Sequence, residues 1–188
     1  ARDLFEYLDP YAKMFGEVSS ISKKDSRLEG YAKDPITSGL SMEAFIPQNH
    51  WRDTGGEAFI MGAGGSAIAI ASNLTKKELG DNVPSRIVIS NRSTPRLENI
   101  KRILTEWNPG ANCEYYHTPE IGQNDELLAS LRPHSLVVNA TGLGKDRPGS
   151  PLTDACEFPE HALVWELNYR GDLGFMHQAL KQKEAKGL

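Results

Sequence analysis

Six small residues lie between a predicted strand and a predicted helix, and their types and spacing suit the binding of a dinucleotide. They follow an apolar run and are Gly62, Ala63, Gly64, Gly65, Ser66 and Ala67. In the G-x-G-x-x-G/A pattern the first glycine permits a tight turn, and the second lets a pyrophosphate approach the backbone. The helix N-terminus then offers free N–H groups to the phosphates. A turn that merely needs a positive φ angle is the alternative, but strand, loop and helix together favour a dinucleotide site.

The residues after the next predicted strand indicate which dinucleotide binds. Recognition of the ribose 2′-hydroxyl of NAD calls for an acidic residue there. The sequence instead reads Asn91, Arg92, Ser93, Thr94, Pro95 and Arg96. A guanidinium can bind a 2′-phosphate bidentately. The alternative is a helix start capped by Ser93 or Thr94 with solvated arginines, and both descriptions can hold together. We predict NADP as the cofactor, with Asn91, Arg92, Ser93 and Arg96 in its site.

These segments belong to an alternation of strands and helices that runs from residue 57 onward. The predicted strands cover 58–61, 86–90, 113–116, 135–138 and 162–167, and the predicted helices cover about 66–78, 96–107, 124–131 and 173–186. Continuously apolar strands separated by helices indicate a parallel sheet that is covered on both faces. We therefore predict an α/β fold, a doubly wound, Rossmann-like domain over residues 46–188.

The first third of the chain has a different pattern. Two β-rich runs, 17–22 and 27–31, flank a polar turn at 23–26 and predict a hairpin. An amphipathic stretch follows at 38–45, and a polar connector rich in turn-forming residues covers 47–56. We interpret residues 1–45 as the tail of another lobe plus a crossover helix into the α/β domain.

Composition narrows the class of protein. The 188 residues are 39% hydrophobic and 24% charged, within the ordinary range of soluble globular domains. A net charge of −4 argues against a broad nucleic-acid-binding face, and no apolar run predicts a membrane span. Two cysteines are too few for a disulfide scaffold or a zinc ribbon, so we expect a cytoplasmic protein. The five histidines show no metal-binding spacing, and the start at Ala1 suggests a trimmed piece.

Further motifs, taken in order along the chain, resemble the shikimate dehydrogenase family. Residues 138–141 with Gly144 match its Asn-Ala-Thr loop after the fourth strand, and 165–169 are similar to the segment that carries a family tyrosine. Residues 15–21 stand where the family has Gly-Ala-Val-Asn-Thr-Ile, and 30–34 where it has Gly-x-Asn-Thr-Asp. The resemblance implies reversible, NADP-dependent interconversion of 3-dehydroshikimate and shikimate, a reaction of aromatic amino acid biosynthesis. It also implies that residues 1–45 are a remnant of the substrate-binding domain.

The resemblance assigns roles to particular residues. Asp34 corresponds to the aspartate of a catalytic lysine–aspartate pair, Ser19 to a substrate-binding asparagine, and Tyr169 to a tyrosine that faces the substrate. The cofactor residues that it adds are Asn139, Ala140, Thr141 and Leu167. A helix cap before Pro35 is the alternative role for Asp34, and a strand-end aromatic that covers the core is the alternative for Tyr169.

The sequence departs from the family's motifs at several positions, so the resemblance does not determine the identity of the substrate. Ala32 and Lys33 replace an asparagine and a threonine, Ser19 is shorter than the expected asparagine, and Gly171 stands where proline is frequent. No lysine has the context of the family's catalytic lysine, which belongs to a preceding lobe. Quinate or another ring hydroxy acid is an alternative substrate, and a catalytically impaired ligand-sensing module is an alternative function. We expect a monomer or homodimer without nucleic-acid or membrane partners.

Overall fold

The computed structural model describes residues 2–145 and 147–188, with the N-terminal region built around a small sheet. Its strands are β1 (Tyr7–Leu8), β2 (Ser20–Lys24) and β3 (Arg27–Tyr31), in the order β1-β3-β2. Strands β2 and β3 pair antiparallel, which confirms the predicted hairpin. Its turn is only Asp25-Ser26, whose φ angles of 49° and 64° suit a tight two-residue connection.

Three short α-helices and a 3-10 helix (Arg2–Leu4) accompany this region, and two of the α-helices were not predicted. Helix α1 (Pro10–Phe15) is capped by Asp9, whose Oδ1 accepts from the Ala12 N–H at 2.6 Å. Helix α2 (Asp34–Glu43) begins four residues before the predicted stretch 38–45, with Pro35 in its first turn. The predicted connector 47–56 contains α3 (His50–Thr54), which buries Trp51 against the main core. Tertiary packing therefore orders a segment whose local composition indicates a loop.

The main sheet has five parallel strands, as predicted. They are β4 (Ala58–Met61), β5 (Ile87–Asn91), β6 (Cys113–His117), β7 (Leu136–Asn139) and β8 (Leu163–Glu166), in the order β6-β5-β4-β7-β8. The helices between and after them are α4 (Gly65–Leu74), α5 (Thr94–Trp107), α6 (Gly122–Ala129) and α7 (Gly174–Lys186). This is the Rossmann-like, doubly wound architecture.

Alternate side chains of the central strands feed two separate cores. Ala58 and Ile60 of β4 pack into the core that includes α4 and α5. Phe59 and Met61 point to the opposite face, where they meet a core built from α6, α7 and the segment before β8. The alternation places helices on both faces of the sheet. Within the described residues, every helix is too short or too polar to cross a bilayer.

A buried ion pair joins the amino ends of the central strands. Glu57 is 5% exposed, and its two carboxylate oxygens accept from Arg86 Nε and Nη2 at 3.0 and 3.1 Å. The backbone N–H of Arg132 donates to the same carboxylate at 3.2 Å. The carboxylate thus links the starts of β4 and β5 with the loop before β7.

We predict that Glu57→Gln lowers the free energy of unfolding by about 2 kcal/mol, because it removes the buried carboxylate that accepts from Nε and Nη2 of Arg86 and leaves the guanidinium only its longer pair with Glu114, at 3.4 Å. Urea unfolding monitored by circular dichroism measures the loss. Glu106→Gln is the matched control, since the Arg102–Glu106 pair is exposed on α5 and its loss should cost less than about 0.5 kcal/mol. Equal effects of the two substitutions would contradict the assignment.

Candidate functional site

The strand order reverses between β4 and β7, which creates a crevice at the carboxyl ends of these strands. Ligands of open α/β sheets bind at such a switch point. The glycine loop follows β4, and residues 139–141 follow β7, so two predicted cofactor segments flank the same crevice. The backbone N–H of Ala140 donates to the Met61 carbonyl at 2.9 Å and joins them directly.

The glycine loop has the geometry that the motif predicts. Gly62 has a φ angle of +119°, and a Cβ there would lie 2.6 Å from the carbonyl oxygen of Ala140. Gly64 is the N-cap of α4, and a Cβ at Gly64 would meet nothing within 4 Å. Gly62 is thus required by the protein's own packing, whereas Gly64 borders open space beside the first turn of α4. A pyrophosphate could approach the backbone at Gly64, so the loop fits a dinucleotide.

Buried hydrogen bonds order the loop after β7. The Asn139 side chain is fully buried, and its Oδ1 accepts from the Thr141 N–H at 3.0 Å and from Thr141 Oγ1 at 2.6 Å. Thr141 Oγ1 in turn accepts from the Leu143 N–H at 3.2 Å. Asn139 therefore shapes the turn that borders the crevice, and Ala140 and Thr141 lie on that turn. Predicted residue Leu167 is partly buried against the core at the end of β8.

Glu166, which the sequence motifs did not single out, supports this loop from the neighbouring strand. Both of its carboxylate oxygens accept from Asn139 Nδ2, at 3.1 and 3.0 Å, and the Asn168 N–H donates to it at 2.9 Å. Burial raises the pKa of Glu166 above its ordinary value, while the bonds from Asn168 and Asn139 act in the opposite direction. The sequence alone provides only a weak indication of this role, namely an acidic residue at the end of an apolar strand.

The loop after β5 carries the predicted 2′-phosphate residues. Asn91 ends the strand, and its Oδ1 accepts from the Ser93 N–H at 3.3 Å. Ser93 is the N-cap residue of α5 and forms no side-chain capping bond, while Pro95 lies in the first turn. Arg92 and Arg96 are both exposed. The helix start and the basic loop therefore coexist, which leaves two guanidinium groups beside the first turn of α5.

A second cleft brings predicted substrate residues to the cofactor loop. This cavity of about 70 Å³ is lined by Phe15, Glu17, Val18, Ser19, Ala32, Asp34, Pro35, Gly65 and Ala69. Ser19 and Asp34 thus lie beside Gly65, although about 46 and 31 positions separate them along the chain. Asp34 is the first residue of α2, and Lys33 is the N-cap, so Asp34 is not the cap of that helix.

Contacts between α2 and α4 hold this cleft together. Asn73 of α4 donates from Nδ2 to the Pro35 carbonyl of α2 and, at 2.9 Å, to the Ala69 carbonyl. A Cβ at Gly39 would lie 2.8 Å from Asn73 Oδ1, so the two helices approach closely at that point. The Ser19 hydroxyl accepts from the Lys33 N–H at 2.8 Å, which ties the hairpin to the start of α2.

Tyr169 lies apart from this cleft, and it is not among the described residues that line it. Its side chain is 76% exposed, with Lys145 Nζ 4.8 Å and Arg170 Cζ 5.7 Å from the ring centroid. The exposure argues against the alternative in which Tyr169 covers the core. A role toward substrate stays a prediction.

The two cysteines and the potential metal ligands show no sign of a catalytic or metal-binding role among the described residues. Burial raises the pKa of both Cys113 and Cys156 to about 11, so neither thiol is a ready nucleophile. Over residues 2–145 and 147–188, no group of three or more His, Cys, Asp or Glu side chains is arranged to hold a metal ion.

Comparison with known proteins adds to this geometry. The chain is 34% identical over 169 residues to shikimate dehydrogenase (NADP(+)) from Symbiobacterium thermophilum, an alignment that covers 87% of this chain and 53% of the relative. It is 29% identical over 178 residues to the protein of the same name from Streptococcus thermophilus, with 94% and 58% covered. The chain is related to the shikimate dehydrogenases. The predicted resemblance is confirmed.

Solved structures of shikimate and quinate dehydrogenases share the fold. Quinate dehydrogenase from Corynebacterium glutamicum, in complex with NAD, has a TM-score of 0.69 at 18% identity and covers 99% of this chain and 60% of its own. Shikimate 5-dehydrogenase from Thermus thermophilus, in complex with NADP(H) and shikimate, has a TM-score of 0.60 at 26% identity, with 98% and 59% covered. No protein-family model matches the chain. The chain spans about half the length of the curated shikimate dehydrogenases it matches.

The two glycines of the loop should respond differently to alanine. Gly62→Ala should lower the free energy of unfolding by about 2–3 kcal/mol, because the Cβ would face the Ala140 carbonyl at an unfavourable φ angle. Gly64→Ala should change stability by less than about 1 kcal/mol, since its φ of −98° suits alanine and its Cβ meets open space. Thermal and urea unfolding of both variants test this, and similar losses would argue against the loop geometry.

Proposed function

We propose that the protein containing this chain is an NADP-dependent oxidoreductase of the shikimate dehydrogenase type. The reaction is reversible hydride transfer between NADP(H) and 3-dehydroshikimate/shikimate, or a related ring hydroxy acid such as quinate. The observation that carries the proposal is the switch-point crevice between β4 and β7. It combines the open backbone at Gly64, the ordered turn at 139–141, and a neighbouring cleft with Ser19 and Asp34.

The cofactor would lie along the carboxyl edge of the sheet. Residues Gly62 to Ala67 would hold the diphosphate at the start of α4, and Asn91, Arg92, Ser93 and Arg96 would hold the adenosine 2′-phosphate. Ala140, Thr141 and Leu167 would line the crevice, with Asn139 shaping it from beneath. Bound NADP(H) supplies the hydride. The absence of an acidic residue in the sequence 91–96 and the NADP(+) in the relatives' names favour NADP over NAD.

The substrate would meet Asp34 and Ser19 in the smaller cleft. The Asp34 carboxylate would orient the ammonium of the catalytic lysine that the family carries in its preceding lobe, so that the pair handles the proton that accompanies hydride transfer. The Ser19 hydroxyl already accepts from Lys33, so its own hydrogen is directed to another acceptor, such as a substrate oxygen. Tyr169, which does not line this cleft, would face the substrate near the nicotinamide.

A ligand-sensing module is the second candidate that the departures at Ser19, Ala32 and Lys33 suggested. The relatives named above are dehydrogenases, which supports the enzyme instead. Residues 1–45 would then be part of the substrate-binding domain, and 46–188 the cofactor domain. We further propose a cytoplasmic enzyme of aromatic amino acid biosynthesis, monomeric or homodimeric, without nucleic-acid or membrane partners.

Cofactor preference tests the assignment of the basic loop. Arg92→Ala in the full-length protein should weaken NADPH binding by about 10- to 100-fold, since a charge-assisted contact is worth about 1.5–3 kcal/mol, and leave NADH binding nearly unchanged. Arg102→Ala is the matched control, because Arg102 is an exposed arginine on α5 that pairs with Glu106. Fluorescence titration gives both dissociation constants. An unchanged ratio of NADPH to NADH affinity in Arg92→Ala would overturn the 2′-phosphate assignment.

Turnover tests the reaction itself. We expect the full-length protein to reduce NADP+ with shikimate or quinate, and to do so far faster than with NAD+. Asp34→Asn should lower kcat with little change in the affinity for NADP+, because the carboxylate acts on the substrate side. Absence of turnover with every pairing of NADP+ or NAD+ with shikimate or quinate would favour the sensing module.

A further inference from the structure

Glu17 occupies a position in the cofactor region that the sequence motifs did not indicate. It precedes β2, and its side chain reaches across the cleft to Gly65, the first residue of α4. A Cβ at Gly65 would lie 2.7 Å from Glu17 Cδ and 3.0 Å from Oε1, with Oε2 closer still. The carboxylate therefore rests on the glycine loop, although the residue as a whole is exposed at the rim of the cleft.

Two charged side chains, Asp34 and Arg96, act on the Glu17 carboxyl. Partial desolvation raises the pKa of the Glu17 carboxyl above its ordinary value, the negative charge of Asp34 raises it further, and Arg96 lowers it. These groups come from the elements that face Glu17: Asp34 from the start of α2 and Arg96 from the first turn of α5. Two carboxylates and one guanidinium thus share the space beside the first turn of α4.

A carboxylate at this place competes with the diphosphate that the loop is built to hold. It complements the positive end of the α4 dipole, and α4 has no acidic residue in its own first turn. A diphosphate that approached the same N–H groups would bring at least two negative charges next to Glu17. Like charges within a few ångströms disfavour each other unless one of them is neutralised or moves.

We propose that Glu17 is a further determinant of cofactor affinity, which opposes the bound diphosphate while it is ionised and so couples dinucleotide binding to the uptake of a proton. This inference rests on the proposed function, because it requires that the glycine loop binds a dinucleotide. Protonation of Glu17 removes the repulsion, so affinity rises as the pH falls through its titration. Arg96 interacts electrostatically with Glu17 in the free protein, and it also belongs to the loop that we predict to bind the 2′-phosphate.

The experiment compares the full-length wild type with Glu17→Gln, which keeps the size of the side chain but removes its charge and replaces one accepting oxygen with a donating NH₂ group. Calorimetric titration with NADP+ at pH 8 should give a dissociation constant about three- to ten-fold lower for Glu17→Gln. The advantage should shrink as the pH is lowered toward 5.5, because a growing fraction of the wild-type carboxyl is then protonated and burial raises its pKa above the ordinary value. Titration of the 2′-phosphate itself affects both proteins equally and cancels in the comparison.

Proton uptake provides the readout that a purely structural role would not change. Titrations in two buffers of different ionisation enthalpy should show more protons taken up per NADP+ bound by the wild type than by Glu17→Gln. Glu106→Gln is the matched control, since Glu106 lies in the last turn of α5, on the order of 15 Å along the helix from the basic loop, and should behave as the wild type. Glu17→Ala, with no polar end, should share the tighter binding of Glu17→Gln.

The outcomes separate this inference from the function on which it rests. Equal affinities and equal proton uptake in the wild type and Glu17→Gln, with NADP+ bound by both, would overturn the role of Glu17 and leave the cofactor site intact. Weaker binding by Glu17→Gln would also overturn it, because the carboxylate would then be a favourable contact. Failure of the wild type and both Glu17 variants to bind NADP+ or NAD+ would overturn the proposed function itself.

Discussion

The close approach of Gly62 to the carbonyl of Ala140 is the contact on which the site depends. Because a side chain at position 62 would collide with that carbonyl, the end of β4 can lie directly against the end of β7 only with glycine there. The Ala140 N–H then bonds the Met61 carbonyl and fixes the register of the two loops. The first turn of α4 and the turn at 139–141 consequently open onto one crevice, at the point where the strand order reverses.

A second constraint is the orientation of the Asn139 amide. An ionised carboxylate can only accept hydrogen bonds, so Glu166 requires the NH₂ group of Asn139 on its side. The amide oxygen must then face Thr141, where it accepts both the N–H and the hydroxyl. The half-buried carboxylate thus selects one of two amide orientations and, through it, one conformation of the loop. A charged group can be retained at this edge because its donors offset part of the cost of burial.

The parts of the fold that could be predicted are those in which local pattern and tertiary burial agree. The central strands β4, β5 and β7 are mainly apolar because both of their faces are covered. The positions of all five strands of the main sheet were predicted to within about one residue. Helix α1 and the helix around Trp51 were not predicted, because each has barely one or two turns and is ordered by packing. The glycine loop could be recognised because its chemistry lies in the backbone. Glu17 and Glu166 could not, since single carboxylates acquire their roles only from long-range neighbours.

The substrate-side and cofactor-side residues share one rigid support. Helix α4 begins at the glycine loop, and all of its residues from Ala67 to Leu74 are buried. Its Asn73 bonds the backbone of α2 at Pro35, the residue after Asp34. A displacement of α2 would therefore break the buried hydrogen bond from the Asn73 side chain and separate the two helices at Gly39. The position of Asp34 relative to Gly65 is consequently a property of the α2–α4 packing.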